Sequence, residues 1–142
     1  MHRIVSLVLL TLAVSGCATT SQYGNFIPSS TLAQQQLATD AVQQLSTLYA
    51  PARTRLELQQ PTPDPFGQAL VKSLRDKGYA LLEFTPGTKA AAEGLPLRYV
   101  LDQADDSNLY RLTLMVGNQS LTRPYLVQNG RFAPAGYWVR KE

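Results

Sequence analysis

The spacing of hydrophobic and polar positions changes several times along this chain of 142 residues, and each change marks an element. Ile4 to Ala13 (IVSLVLLTLA) is an unbroken apolar run of about ten residues, short of the ~20 that cross a bilayer as a helix. Ala18 to Pro28 (ATTSQYGNFIP) has neither helical nor alternating period and reads as a tether. From about Thr31 to Tyr49, Leu37, Ala41, Leu45 and Leu48 recur at helical spacing, with Ala38, Val42 and Tyr49 beside them. Gln34, Gln35, Gln36, Gln43 and Gln44 take the side expected to face water. Ser29, Ser30 and Thr31 can cap this helix, with Gln34 placed three residues after Thr31 as in a capping box.

Pro51 ends that helix, and the alternation of Thr54 to Gln59 (TRLELQ) predicts a short strand with Leu56 and Leu58 on one face. Asp64-Pro65 then reads as N-cap and first residue of a second helix, with Phe66, Leu70, Val71 and Leu74 as its buried stripe. Arg75 and Lys77 suit the negative end of its dipole, and Gly78 supplies a left-handed cap. Strands follow at Tyr79 to Thr85, Leu97 to Gln103, Leu109 to Val116, Ser120 to Val127 and Arg131 to Val139. Lys89 to Gly94 is a linker. The turns between the later strands are Asp105 to Asn108, Gly117-Asn118 and Asn129-Gly130, the last a type I′ signal. Pro124 and Pro134 cannot donate to a ladder, which places their strands near an edge or at bulges. The pattern predicts an α+β fold: two helices packed on a mostly antiparallel sheet of five or six strands.

Chemistry changes the reading of the apolar run. Arg3 precedes it, and Val14-Ser15-Gly16-Cys17 follows, small residues leading to the sole cysteine. This is the pattern of a cleaved lipoprotein signal, with Cys17 as the residue that takes covalent lipid. The expected organisation is a signal peptide at 1–16, a lipidated N-terminus and tether at 17–29, and one periplasmic domain at 30–142. Ala18 stands where an aspartate would signal inner-membrane retention, which favours the periplasmic face of the outer membrane. Two or more acyl chains give stable anchoring. Tyr23, Phe26 and Ile27 are more apolar than a spacer needs. Either they fold back on the domain or lipid surface, or they insert into a partner protein, which makes them the candidate partner-binding residues.

Composition removes several functions. The only histidine, His2, leaves with the signal and Cys17 is committed to lipid, so no His or Cys nucleophile, base or zinc ligand is left in the mature chain. Asp102, Asp105 and Asp106 form the nearest carboxylate cluster, but there is no turn glycine or distal glutamate of a calcium loop, and they read as turn formers. Ser107 and Ser120 lack a histidine partner, so no enzyme, metal or small-molecule substrate is expected. Tyr125, Phe132, Tyr137 and Trp138 crowd the C-terminal end as core residues or as a stacking face. Loss of Arg3 leaves twelve cations against ten carboxylates in the mature chain. Arg53, Arg55, Arg98, Arg111, Arg123, Arg131 and Arg140 are spread singly along it, which argues against direct nucleic-acid binding.

Four stretches carry a resemblance: CATTSQYGNF (17–26), TPDPFGQALVKSLRDKGYA (62–80), LRYVLDQADDSNLYRLTLMVGNQSLTRPY (97–125) and APAGYWVRK (133–141). Together they resemble the conjugal transfer protein TrbH, a family of small lipoproteins from plasmid mating-pair-formation systems. The resemblance implies a structural component of a type IV secretion channel at the outer membrane, working through contacts with other channel subunits. Only Cys17 carries over as a functional residue. The alternative from another class is a periplasmic lipoprotein that binds cell wall or a small ligand.

Overall fold

Helix α1 spans Gln35–Leu48 in the computed structural model, which describes residues 21–27, 34–87 and 93–142. Leu37, Ala38, Ala41, Val42 and Leu45 are buried as their spacing predicts. Leu48, expected in the same stripe, is instead 38% exposed, because the helix ends there and Tyr49 turns to extended backbone. The expected cap residues Ser29, Ser30 and Thr31 lie outside the described residues. Gln34 occupies the N-cap without a side-chain cap bond, and it is buried rather than facing water. A fully buried leucine contributes about 1.5–3 kcal/mol against about 1 for a good cap, so the apolar stripe holds the helix without one.

The second helix, α2 (Pro65–Lys77), is bounded where its chemistry puts it. The Asp64 carboxylate accepts from the Gly67 amide at 2.9 Å, and Gly78 takes φ 100 beyond the last turn. Phe66, Leu70, Val71 and Leu74 are buried. A 3-10 turn at Pro51–Arg53 leads from α1 to the sheet.

The strands are β1 (Gly24–Asn25), β2 (Arg55–Leu58), β3 (Ala80–Leu82), β4 (Leu95–Gln103), β5 (Leu109–Val116), β6 (Gln119–Gln128), β7 (Arg131–Pro134) and β8 (Val139–Lys141). Six of them lie in the order β3-β2-β4-β5-β6-β7, while β1 joins β4 and β8 joins β6. From β4 to β7 the chain is the antiparallel meander that its turn residues predict. Asn129 (φ 50) and Gly130 (φ 72) form the two-residue turn between β6 and β7. The pairings of β2 with β3, β2 with β4 and β1 with β4 are parallel. The β2-to-β3 connection runs through α2, since parallel neighbours require a crossover of that length.

Two further features differ from the sequence expectation. The single strand expected over Arg131 to Val139 is broken into β7 and β8, which pair with opposite ends of β6. Pro124 lies at the junction: its carbonyl accepts from Ala135, so its missing N–H faces this break and not β5. The tether is also shorter than expected, because Gly24–Asn25 pairs with Val100–Leu101 and Ile27 enters the core. The folded unit therefore takes in residues that precede Ser30.

Helices cover one face of the sheet. Leu56, Leu58, Leu97, Tyr99, Leu101, Leu112, Leu114, Val116, Leu121, Tyr125 and Phe132 point toward them and are buried. Among the described residues no helix covers the opposite face of β4, β5 and β6, and register sets its rows: Arg98 beside Met115, Ser120 and Lys141; Val100 beside Thr113, Thr122 and Val139; Asp102 beside Arg111 and Pro124.

Candidate functional site

Two features stand out: the joint that docks the N-terminal segment and the helix-free face beside it. Both β1 and β2 pair with the same edge of β4, β2 at Leu95–Leu97 and β1 at Val100–Leu101. Between them the Tyr99 amide has no backbone partner, and the buried Gln60 side chain fills the gap by accepting from it at 2.8 Å. Asn25 then reaches to the helix side, donating to the Gln34 side-chain oxygen at 2.8 Å and to Asp64 at 3.1 Å, while its own oxygen accepts from the Ile27 amide. The Tyr99 hydroxyl donates to the other Asp64 oxygen at 2.7 Å. Asp64 thus caps α2, holds the docked segment and pins the central strand. Burial first, then the Asp64 bond, raises the Tyr99 pKa far above the ordinary phenol range, so its hydroxyl remains a donor. Gly67 makes room for it: a Cβ there would lie 2.8 Å from Thr62 Cβ and 2.9 Å from Asp64 Oδ1, besides meeting the Tyr99 hydroxyl.

The candidate residues from the sequence separate here. Cys17 lies outside the described residues. Ile27 is 8% exposed and belongs to the core, so in this fold it is an anchor for the segment and presents no surface to a partner. Phe26 is 52% exposed and, by alternation from Asn25, lies on the helix-free side. Tyr23 is half-buried, with the Arg98 guanidinium 5.1 Å from its ring centroid.

Of the three expected turn formers, Asp102 instead lies within strand β4, paired with Arg111. Asp105 and Asp106 lie in the β4–β5 turn, Asp105 with φ 48, and Asp102 is engaged by both Arg111 nitrogens at 2.6 and 3.1 Å. Among the described residues no group of His, Cys, Asp and Glu is placed to hold a metal ion. Of the C-terminal aromatics, Tyr125 and Phe132 are core, Trp138 packs against it, and Tyr137 is 90% exposed. Arg123 bridges layers: it holds both Asp40 oxygens at 3.0 and 3.1 Å, donates to the Gly136 carbonyl and lies near the Tyr125 and Trp138 rings. The Tyr125 hydroxyl also donates to Asp40.

Sequence spacing concealed one arrangement. Arg98, Arg111, Arg131 and Lys141 are scattered along the chain, yet register brings all four to the helix-free face, where Asp102 is the facing carboxylate of the strands β4 to β8. Strand parity is the signal that could have found it. Arg98 and Lys141 share one row and line an open pocket of about 320 Å³ with Asn118, Gln119 and Ser120. Neither has a carboxylate within ion-pair distance among the described residues; Glu142 at the rim pairs with Arg140 at 3.4 Å.

No described helix is long and apolar enough to cross a membrane. No curated protein and no solved structure matches the chain. The family model of conjugal transfer protein TrbH matches residues 20–142, which takes in the docked segment, both helices and the whole sheet, and the chain belongs to that family.

Proposed function

We propose that this protein is a structural lipoprotein of a conjugative type IV secretion channel, held to the periplasmic face of the outer membrane through lipid on Cys17. The match to the conjugal transfer family over residues 20–142 carries this reading. The signal-like leader and lone cysteine support the anchor. The work is done by protein-protein contact with other channel subunits, without catalysis, direct nucleic-acid binding or a small-molecule substrate. The side chains available for that contact are Tyr23 and Phe26 on the docked segment, steadied by Ile27 beneath them. The outer edge formed by β7 and β8 adds Val139, 62% exposed, where a partner strand can pair by ladder hydrogen bonds.

The test is complementation in a donor strain that lacks the native copy. Cys17→Ser is expected to abolish incorporation of labelled fatty acid and recovery in the outer-membrane fraction. Tyr23→Ala with Phe26→Ala, keeping Cys17, is expected to reduce co-purification with channel proteins and DNA transfer together. Persistent labelling of the serine variant would remove the anchor from this reading. Wild-type transfer by the double alanine variant would remove the docked segment as the contact.

A further inference from the structure

The chain ahead of the docked segment has a direction and a maximum length. Strand β1 runs parallel to β4, so its N-terminal side leads toward the Arg98 end of β4. The stacking of Tyr23 on Arg98 places it there. From Ser21, the first residue described, four residues reach back to Cys17, at most about 13 Å of extended chain. A lipid on Cys17 therefore holds that end of the sheet against the bilayer. The same end carries Arg98 and Lys141 around the pocket with Asn118, Gln119 and Ser120, together with Glu142, whose carboxylate pairs with Arg140 at 3.4 Å. The turn carboxylates Asp105 and Asp106 lie at the other end, in the β4–β5 turn beyond Gln103.

We infer that the Arg98–Lys141 end of the helix-free sheet face docks on anionic phospholipid in the surface to which the chain is tethered, with the two cations taking the phosphate of net-negative headgroups. Three observations favour this occupant: the short reach to Cys17, the absence of an ion-pair partner for either cation among the described residues, and the separation of the acidic turn from this end. The hydroxyl and amide groups of Ser120, Asn118 and Gln119 supply donors for phosphate oxygens in the same pocket. Tethering makes a weak contact sufficient, since the surface is always near. The docked domain stands in one orientation, with β7 and the acidic turn presented away from the lipid.

This inference rests on lipidation at Cys17, so the experiment reads that first: the mass of the purified full-length protein reports the lipid directly. The lipidated protein is then reconstituted in phosphatidylcholine vesicles with and without phosphatidylglycerol, and amide exchange is followed at 117–120 and 139–142. Protection is expected only with phosphatidylglycerol. Arg98→Gln with Lys141→Gln should reduce the docked-to-undocked ratio roughly thirty-fold while the protein stays on the vesicles, which is the worth of two cations near an anionic surface. Arg131→Gln, a cation at the far end, should leave protection intact. Equal protection in neutral vesicles, or none in either, would overturn the inference. So would protection by inorganic phosphate without anionic lipid, which would make this a free-anion pocket, or protection that appears only on adding a channel protein. A mass without lipid would refute the anchor instead. Flotation of the unlipidated chain on the same vesicles would then still decide whether this surface binds anionic lipid.

Discussion

Asp64 shows how much one side chain can organise. Its two oxygens cap a helix, hold Asn25 and accept the Tyr99 hydroxyl. The capping role was legible in Asp64-Pro65; the other two were not, because Asn25 and Tyr99 lie 39 and 35 residues away and nothing local marks them. Gly67 follows from the same joint. Alanine at a helical position normally gains about 1 kcal/mol over glycine, yet here its Cβ would press on Asp64, Thr62 and Tyr99. Gly67→Ala should therefore destabilise the fold by about 1–3 kcal/mol in urea titration, the reverse of the propensity sign. A pH effect accompanies the buried phenols Tyr79, Tyr99 and Tyr125, the first raised by burial alone. Tyr99 and Tyr125 keep their protons well above the ordinary value of 10.0, each by burial and then by its aspartate partner, with Arg123 partly opposing at Tyr125. Below pH 10 this contribution is whole. Above it the unfolded phenols ionise while the folded ones do not, so stability should fall by up to about 1.4 kcal/mol per pH unit for each. Denaturant titrations from pH 8 to 11 should show the decline, and Tyr99→Phe with Tyr125→Phe should reduce it to the part that Tyr79 contributes.

Among the elements, legibility followed length and the chemistry of the boundaries. Helix α2 and the Asn129-Gly130 turn carried residue types with one main use in such positions, and both formed where expected. Strand β1 carried no such signal. It is two residues long and lies in a stretch without period, held by side chains from elsewhere. The parallel arrangement of β2 and β3 was implicit in the strand-helix-strand order of residues 54–85, although the sheet as a whole read as mostly antiparallel. The segment offers a direct check on its own standing. Ile27→Ala should cost about 2–4 kcal/mol, as for a buried residue, whereas Phe26→Ala should stay within about 0.5 kcal/mol. Equal small effects in thermal or urea unfolding would mean that the segment is not part of the cooperative fold.

Across the whole molecule, the two layers are tied at both ends. The Asn25–Asp64–Tyr99 joint closes one, and Arg123 with Asp40 and Tyr125 closes the other. The pair Asp40–Arg123 is 83 residues apart in sequence and partly shielded, at 28% and 19% side-chain exposure. Arg123→Met should cost about 1–2 kcal/mol, more than an open surface pair. A double-mutant cycle with Asp40→Asn should return a coupling above about 0.5 kcal/mol if the tie is direct. The gathering of cations on the helix-free face is a property of this scale alone. No window of sequence contains it, since it arises from register between strands that the chain visits at different times.

The docked β1 has a mechanical consequence. Among the described residues, its two pairs, the Asn25 bonds, the Phe26 amide on Leu101, the Tyr23–Arg98 stack and the burial of Ile27 attach the segment to the sheet. A pull from the membrane on the N-terminus runs along the strand axis and loads these contacts in shear, all at once. When they yield together, the eleven residues from Gly24 to Gln34 can extend over ten Cα-to-Cα steps, a span of at most about 33 Å at ~3.3 Å per residue. If Cys17 carries lipid as proposed, the connection between lipid and domain has two lengths, a short one with β1 docked and a long one with it released.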